Sequence, residues 1–262
     1  MHTVAQAVEL MERLSPTALA EEWDNVGLLI GDREGSLERL MTCLTVTPDV
    51  VEEALDRDAQ LVVAHHPLPF RPLSKITTET TEGRMLLRLI GAGVSLYSAH
   101  TAYDSAELGV NQQLAEGLGL TGAKPFVPDE DDPLIGVGRI GDAGAGATLT
   151  DLVEKAKALL GIDSVRIVGE PGATAQRVAV ACGSGGSLFD AAMRAGCQAI
   201  LTGEATFHDC LKARSHGVGL VLVGHYASER FAMEALADRL GEELPGVETW
   251  ASTHESDPLQ SA

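Results

Sequence analysis

Three strand-like segments of this sequence end in residues that can bind a metal ion or move a proton. Leu61-Val-Val-Ala64 is followed by His65-His66, and two later apolar runs are followed by His100-Thr-Ala-Tyr-Asp104 and His225-Tyr-Ala-Ser-Glu229. Open α/β folds place their sites at the ends of such strands. Imidazoles and carboxylates without a thiolate are typical of a reactive divalent-metal centre rather than of a structural zinc site.

The spacing of histidine and acid predicts how these side chains project. If a helix begins at or just after His225, then His225 and Glu229 lie one turn apart on one face, and the same holds for His100 and Asp104. The alternative is a carboxylate at the positive end of a helix dipole, with Ser228 as a cap.

The first segment ends in two histidines that are adjacent in the sequence. Neighbours in a strand point to opposite faces, so His65 and His66 serve one site only if the chain leaves the sheet there, which Pro67 favours. The alternative is a strand-end pair whose rings are hydrogen-bonded to the backbone.

Further polar residues are candidates for catalysis or binding. Glu204 and His208 form a candidate general acid/base or substrate-binding pair, although a helix N-terminal charge and a surface histidine explain them equally well. Asn25 is either a contact in the site or part of an ordinary turn. The loop Gly183-Ser-Gly-Gly-Ser187 either presents N–H groups to an anion or is a tight turn with Ser187 as helix N-cap.

This donor set suits two divalent ions, with one carboxylate or a water-derived hydroxide between them. Such ions lower the pKa of bound water towards about 7 and polarise a carbonyl, amidine or phosphoryl group. Imidazole and carboxylate ligands fit Zn, Mn, Fe or Co and do not choose between them.

Composition limits the classes of partner. The 262 residues carry a formal net charge of −19, from 38 acids against 19 bases, which argues against non-specific nucleic-acid binding. The four cysteines form no C-x-x-C and no Cys/His zinc spacing, so we interpret them as reduced, mostly buried small side chains. The absence of a secretory signal and of a transmembrane-length apolar run leads us to expect a cytoplasmic protein without membrane contact.

Apolar segments of strand length alternate with helical periodicity along the chain, which predicts an α/β fold with a mostly parallel sheet. The strand–helix–strand pattern of Met41–Ala64 recurs at Ala179–Thr202. We therefore hypothesise two related α/β domains with pseudo-twofold symmetry and a metal site in the cleft between them. The expected domains are 1–125 with the C-terminal segment 245–262, and 126–244. The alternative is that any two βαβ units look alike.

The motifs resemble one family when they are taken together. They are Glu22-Trp-Asp-Asn-Val-Gly-Leu28, Val63-Ala-His-His-Pro67, Ser98-Ala-His-Thr-Ala-Tyr-Asp104, Gly183-Ser-Gly-Gly186, Thr202-Gly-Glu204 and Gly224-His-Tyr-Ala-Ser-Glu229. In this order they resemble the dinuclear-metal-centre hexamer family, whose members are often named GTP cyclohydrolase I type 2 homologues or NIF-three-like proteins.

The resemblance implies two related α/β domains, a homohexameric toroid and two divalent ions per subunit. It implies the metal ligands His65, His66, Asp104, His225 and Glu229. It makes His100 a nearby residue that orients a carboxylate or binds substrate. Tyr103 and Ala102 stand where relatives often have Asn and Leu, which affects expected substrate contacts.

Three functional hypotheses follow. The first is a metal-dependent hydrolase acting on a small molecule, similar to GTP cyclohydrolase I type 2. The second is a non-catalytic metal-binding regulatory or scaffold protein. The third is a ring that encircles a nucleic acid, against which the net charge of −19 weighs.

Overall fold

The computed structural model describes residues 2–129 and 132–260. The strands, in chain order, are β1 His2–Thr3, β2 Gly27–Ile30, β3 Ser36–Leu37, β4 Arg39–Cys43, β5 Leu61–Ala64, β6 Ser95–Ser98, β7 Thr121–Lys124, β8 Val127–Pro128, β9 Gly136–Val137, β10 Arg139–Asp142, β11 Arg166–Val168, β12 Arg177–Ala181, β13 Ala199–Thr202, β14 Gly219–Leu222 and β15 Glu248–Ala251. The helices are α1 Val4–Leu14, α2 Pro48–Asp56, α3 Thr81–Gly91, α4 His100–Ser105, α5 Val110–Gly117, α6 Leu149–Leu160, α7 Phe189–Arg194, α8 Phe207–His216 and α9 His225–Glu243.

The chain is a mixed α/β protein with two compact units. One unit contains the residues up to Tyr103 and those from Ala232 onwards, and the other contains Asp104–Phe231. The domain limits 1–125 with 245–262, and 126–244, stay a prediction, because they rest on the sequence pattern alone.

The first unit contains a five-stranded sheet with the order β15-β4-β5-β6-β2. The strands β15, β4, β5 and β6 are parallel, and β2 pairs antiparallel with β6 at the edge. Met41, Val62 and Leu96 of the three central strands pack with the buried faces of α2 and α3 in one apolar cluster. The α2 helix begins at Pro48 after Thr47, whose hydroxyl accepts a hydrogen bond from the Val50 N–H.

The second unit contains a six-stranded sheet with the order β11-β14-β13-β12-β10-β7. Its central strands β12, β13 and β14 are parallel, and β10, β7 and β11 are antiparallel to their neighbours. Val178 and Leu201 belong to one apolar cluster, whereas Ala179 and Ile200 belong to another. Successive residues of a strand therefore contribute to cores on opposite faces, as expected for a sheet covered on both sides.

Most predicted elements are present, and the differences have local causes. The apolar run Ile135–Ile140 predicts a single strand, and this prediction is wrong, because Gly138 at a φ of +59° separates β9 from β10. The sequence pattern predicts a helix over Ser228–Leu240, and α9 extends beyond it at both ends, from His225 to Glu243. Ser228 therefore lies inside the helix and does not cap it.

The polar tail from Ser252 is, by its sequence, either loose or folded back on the first domain. In the structure it is bound to the first unit. The Glu53 carboxylate of α2 is 1 % exposed and accepts hydrogen bonds from Ser252 Oγ, the Thr253 N–H and the His254 N–H. The Trp250 indole also donates to Glu53 over 3.3 Å. The residues that follow β15 are thus part of the folded unit.

In residues 2–129 and 132–260, no helix combines the length and the apolar character that a bilayer crossing requires.

Candidate metal centre

The end of β5 brings three imidazoles of the first unit together. The His65 and His66 N–H groups donate to the carbonyls of Cys43 and Leu44, so the backbone remains paired past the last strand residue. The His65, His66 and His100 rings have centroids 5.2–5.4 Å apart. Each ring offers one nitrogen, and the three nitrogens lie within 4.8 Å of one another. Three nitrogens at this spacing could hold a metal ion.

His100 is held by a buried carboxylate. It begins α4 with a φ of +23°, and its Nδ1 lies 2.7 Å from Asp24 Oδ1. Asp24 is buried, which raises its pKa, but hydrogen bonds from His100 and Thr101 more than offset this and lower the pKa to about 2. The ionised carboxylate can only accept, so Nδ1 of His100 carries its hydrogen and Nε2 is the nitrogen that can bind another group.

His66 is oriented from the C-terminal side of the same unit. Its Nδ1 lies 2.7 Å from Thr45 Oγ1. The N–H groups of Leu44 and Thr45 donate to the Glu255 carboxylate over 2.9 and 3.2 Å. Glu255 therefore fixes the turn that presents the Thr45 hydroxyl to the imidazole.

The second unit contributes a histidine–glutamate pair on α9. Because the helix begins at His225, the predicted one-turn spacing is realised, and His225 Nε2 lies 3.1 Å from Glu229 Oε2. The other ring nitrogen, Nδ1, lies 3.4 Å from Glu204 Oε2. The hydrogen bond to Glu229, aided by Glu204, raises the pKa of His225 to about 9 despite its burial.

Asp104 in the second unit lies against a cysteine. The Cys182 thiol donates to Asp104 Oδ1 over 3.0 Å, and the Asn111 amide oxygen accepts from the Cys182 N–H. Burial, together with the negative charges of Asp104 and Glu229, raises the pKa of Cys182 well above its usual value. The thiol is therefore a neutral hydrogen-bond donor to the carboxylate, a role beyond the simple packing expected from the sequence.

Glu204 and His208 are found in different surroundings. Glu204 accepts a hydrogen bond from Ser184 Oγ over 3.2 Å and faces His225. His208 is exposed on the first turn of α8, with its ring 5.9 Å from that of Phe207. Their role as an acid/base pair stays a prediction.

Two loops named from the sequence have defined contacts. The Asn25 amide donates to the Pro69 carbonyl over 2.9 Å. The Gly183 N–H donates to Ser228 Oγ and the Gly185 N–H donates to Thr202 Oγ1. These two N–H groups therefore form hydrogen bonds within the fold. Ser187 lies inside a 3₁₀ turn over Gly185–Leu188, and the prediction that it caps a helix is wrong.

The donor chemistry fits divalent cations. One unit presents three clustered imidazoles, and the other presents carboxylates that raise the pKa values of both a histidine and a thiol. Groups that raise neighbouring pKa values in this way create a negative potential, which a divalent ion would neutralise. His65 is 1 % exposed and Glu229 is 3 % exposed, so both hold their donor atoms away from bulk water.

Sequence reasoning missed Asp24 and Thr45, which contact the imidazoles of the first unit, and Cys182, which donates to Asp104 in the second unit. Asp24 lay inside a quoted motif, where an acid beside the candidate Asn25 was an available signal. Thr45 and Cys182 have no comparable signal, because each acts through a contact between residues far apart in sequence.

The comparisons with known proteins agree with these motifs. The sequence model of Duf34/NIF3 (NGG1p interacting factor 3) matches residues 2–258. A "GTP cyclohydrolase 1 type 2 homolog" of Clostridium perfringens is 33 % identical over 97 % of both chains. A "GTP cyclohydrolase 1 type 2" of Helicobacter pylori is 33 % identical over 88 % of both chains. A solved Staphylococcus aureus hypothetical protein has a TM-score of 0.90 at 28 % identity over 99 % of both chains. This chain belongs to the DUF34/NIF3 family.

Proposed function

We propose that this protein is a metal-dependent hydrolase of a small molecule with a dinuclear divalent-metal centre. The proposed ligands are His65, His66, Asp104, His225 and Glu229, in a cleft between two related α/β halves. The observation that carries the proposal is the clustering of the His65 and His66 imidazoles at the end of β5, with His100 beside them. The His225–Glu229 pair at the start of α9 supports it.

The names of relatives support a class of reaction. The relatives from Clostridium perfringens and Helicobacter pylori are named for a GTP cyclohydrolase. Such a name describes hydrolytic opening of a ring, and we extend that class of chemistry to this chain as part of the proposal. A run of adjacent parallel strands in each sheet, four in the first unit and three in the second, supports a duplicated origin of the two halves.

Bound divalent ions would supply Lewis-acid polarisation and a water of lowered pKa. The protein's own contribution is to hold the ligands and to move protons. Glu204, whose Oε2 is shared by His225 Nδ1 and Ser184 Oγ, is the proposed group that accepts a proton from the attacking water. His208 and Asn25 are proposed contacts to substrate, and His100 is proposed to lie beside the ions without binding them.

A homohexamer and cytoplasmic location are proposed as in the family resemblance, without a membrane or nucleic-acid partner. Sedimentation velocity of the untagged chain tests the oligomer. A mass well below six chains at micromolar concentration would contradict it.

Metal analysis tests the centre itself. Protein purified without chelator is expected to carry two divalent ions per chain by plasma mass spectrometry, and the metal is identified by anomalous scattering. His225→Ala and Glu229→Gln are expected to lose at least one ion. The exposed His216 of α8 provides the matched control His216→Ala, which is expected to keep both.

Turnover tests the enzymatic part. Metal-loaded protein is expected to hydrolyse a member of a panel of nucleotides, cyclic amides and phosphorylated small molecules, and Glu204→Gln is expected to lower the turnover number with the metal content unchanged. The alternative is a non-catalytic regulatory or scaffold protein. Absence of turnover over the whole panel, with a sharply lowered melting temperature in His225→Ala, would favour that alternative.

A further inference from the structure

Two large aromatic side chains of the first unit are exposed beside the imidazole cluster. Trp23 is 60 % exposed and Phe70 is 45 % exposed. Their ring centroids are 6.0 Å apart, with an angle of 44° between the planes. Each ring centroid also lies 5.9 Å from that of His100. The pair therefore borders the histidines at the end of β5, and we call Trp23 and Phe70 the aromatic platform.

Hydrogen bonds hold the loops that carry the aromatic platform in place. On either side of Trp23, the Glu21 N–H donates to Thr101 Oγ1 over 3.0 Å and the Asp24 carboxylate accepts from His100. The Asn25 amide then joins this loop to the Pro69 carbonyl, one residue before Phe70. An indole exposed at the surface is thus placed by two half-buried hydrogen bonds and one exposed hydrogen bond, so its exposure does not result from a loose loop.

The charge of the adjacent loop favours an anionic ligand. Residues 59–78 contain no Asp or Glu, although the chain as a whole has a formal charge of −19. The same stretch contains Arg71 and Lys75, both of which are exposed. Arg71 directly follows Phe70 and Lys75 comes four residues later, whereas exposed Glu21 and Glu22 precede Trp23. The loop that carries Phe70 is therefore the side of the platform that is complementary to a carboxylate or a phosphate.

We propose that the aromatic platform stacks the planar ring of an anionic nitrogen heterocycle, whose charged group is bound by Arg71 and Lys75. The proposal rests on the proposed function, since it names the substrate class of the same site. Stacking suits this surface because every heteroaromatic ring has a π-face, and an exposed tryptophan gives a large contact area. The neighbouring His100, with Nε2 available, adds a polar contact at the ring edge.

Fluorescence of Trp23 tests this binding directly. The chain has two tryptophans, so Trp250→Phe leaves Trp23 as the single reporter. Guanosine 5′-monophosphate is the probe, and it is expected to quench Trp23 emission saturably in both metal-free and metal-loaded protein. Ribose 5-phosphate, which lacks the ring, and guanosine, which lacks the phosphate, are each expected to bind at least tenfold more weakly.

Variants then separate the platform from general effects. By calorimetry, Trp23→Ala and Phe70→Ala are each expected to weaken binding of the nucleotide about five- to fifty-fold, the size of a lost stacking contact. The matched control is Ile90→Ala, which truncates an exposed apolar side chain of α3 in the same unit, and it is expected to change affinity less than twofold.

Three results would overturn the proposal. They are unchanged nucleotide affinity in the Trp23→Ala, Phe70→Ala double variant, equal affinity for ribose 5-phosphate, and absence of saturable quenching up to millimolar probe. A quench that depends on protein concentration alone, with a smaller assembly in the double variant, would also overturn it and assign the surface to contacts between copies. Ring binding without any metal-dependent turnover would instead refute the hydrolase and leave the platform standing.

Discussion

The Asp24 carboxylate lies 2.7 Å from Nδ1 of His100 and fixes the tautomer of that imidazole. Thr101 donates to the same carboxylate through its N–H and its hydroxyl, so Asp24 stays ionised and in place. Carboxylates that accept from a histidine at a metal site orient the ring and raise its basicity. His100 therefore presents Nε2 in a fixed direction beside two other imidazoles.

Replacing Asp24 by asparagine is expected to release this constraint. Nitrogen NMR of wild-type His100 is expected to show Nδ1 protonated and Nε2 unprotonated at pH 8, whereas Asp24→Asn gives a mixture of tautomers. The lost charge–dipole contacts are expected to cost about 2 kcal/mol of unfolding free energy. Asp56→Asn, an exposed change on α2, is the control. A single unchanged tautomer in Asp24→Asn would refute the assignment.

The backbone at Gly183 lies close to the Glu229 carboxylate, and substitution of this glycine tests whether metal binding depends on that approach. A Cβ at this position would collide with Glu229 Oε1, and the backbone φ is +58°. Gly183→Ala is expected to displace the carboxylate and to lower metal affinity at least tenfold in calorimetric titrations. Gly217→Ala shares the strain, at a φ of +67° with open space around the Cβ. It is expected to lose about 1 kcal/mol of stability and keep its affinity, and equal metal binding by both variants would contradict the prediction.

The Thr45 hydroxyl is expected to matter for metal binding although it cannot itself be a strong ligand. Thr45→Val keeps the side-chain shape and removes the 2.7 Å contact to His66 Nδ1. Loss of such an orienting group typically weakens metal binding, and we expect about tenfold. Thr78→Val, at an exposed position of the following loop, is the control. Wild-type affinity in Thr45→Val would show that His66 needs no such support.

The buried Glu53 carboxylate is expected to make part of the free energy of unfolding depend on pH. Burial by itself raises the pKa of Glu53. Hydrogen bonds from Ser252, Thr253 and His254 lower the pKa by more than burial raises it, so the net pKa lies below the ordinary 4.5. A lowered pKa in the folded state stabilises the protein above about pH 4.5, and this contribution is lost as the pH falls below that value.

We therefore expect Glu53→Gln to lower the unfolding free energy by about 2 kcal/mol at pH 7, with a difference from wild type that shrinks below pH 4.5. Urea unfolding at several pH values measures this. Glu52→Gln changes the adjacent exposed carboxylate, which pairs with Arg88, and serves as the control. A difference that is constant with pH would contradict the prediction.

The sequence was sufficient for the residues whose role follows from local spacing. His225 and Glu229 meet because four residues make one helical turn, and the helix begins where the motif required. The parallel strands β4, β5 and β6 were predicted from continuous apolar runs.

The contacts that hold the candidate ligands and their neighbours in place could not be predicted from the sequence, because they join distant parts of the chain. Asp24 meets His100, Thr45 meets His66, and Cys182 meets Asp104 across 76, 21 and 78 residues. The strand β15 was missed for a related reason. Its four residues become a strand by pairing with β4, and nothing in their own pattern requires it.

The pairing of β15 with β4 has a consequence for synthesis on the ribosome. Asp104–Phe231 emerges as one continuous stretch, whereas the sheet that contains β4 has to wait for Glu248–Ala251, which follow that stretch in the chain. The half translated first is therefore completed last. A polypeptide that stalls before Glu248 would carry His65, His66 and His100 on an unfinished sheet, so a nascent chain would gain its full ion-holding capacity only once β15 has emerged.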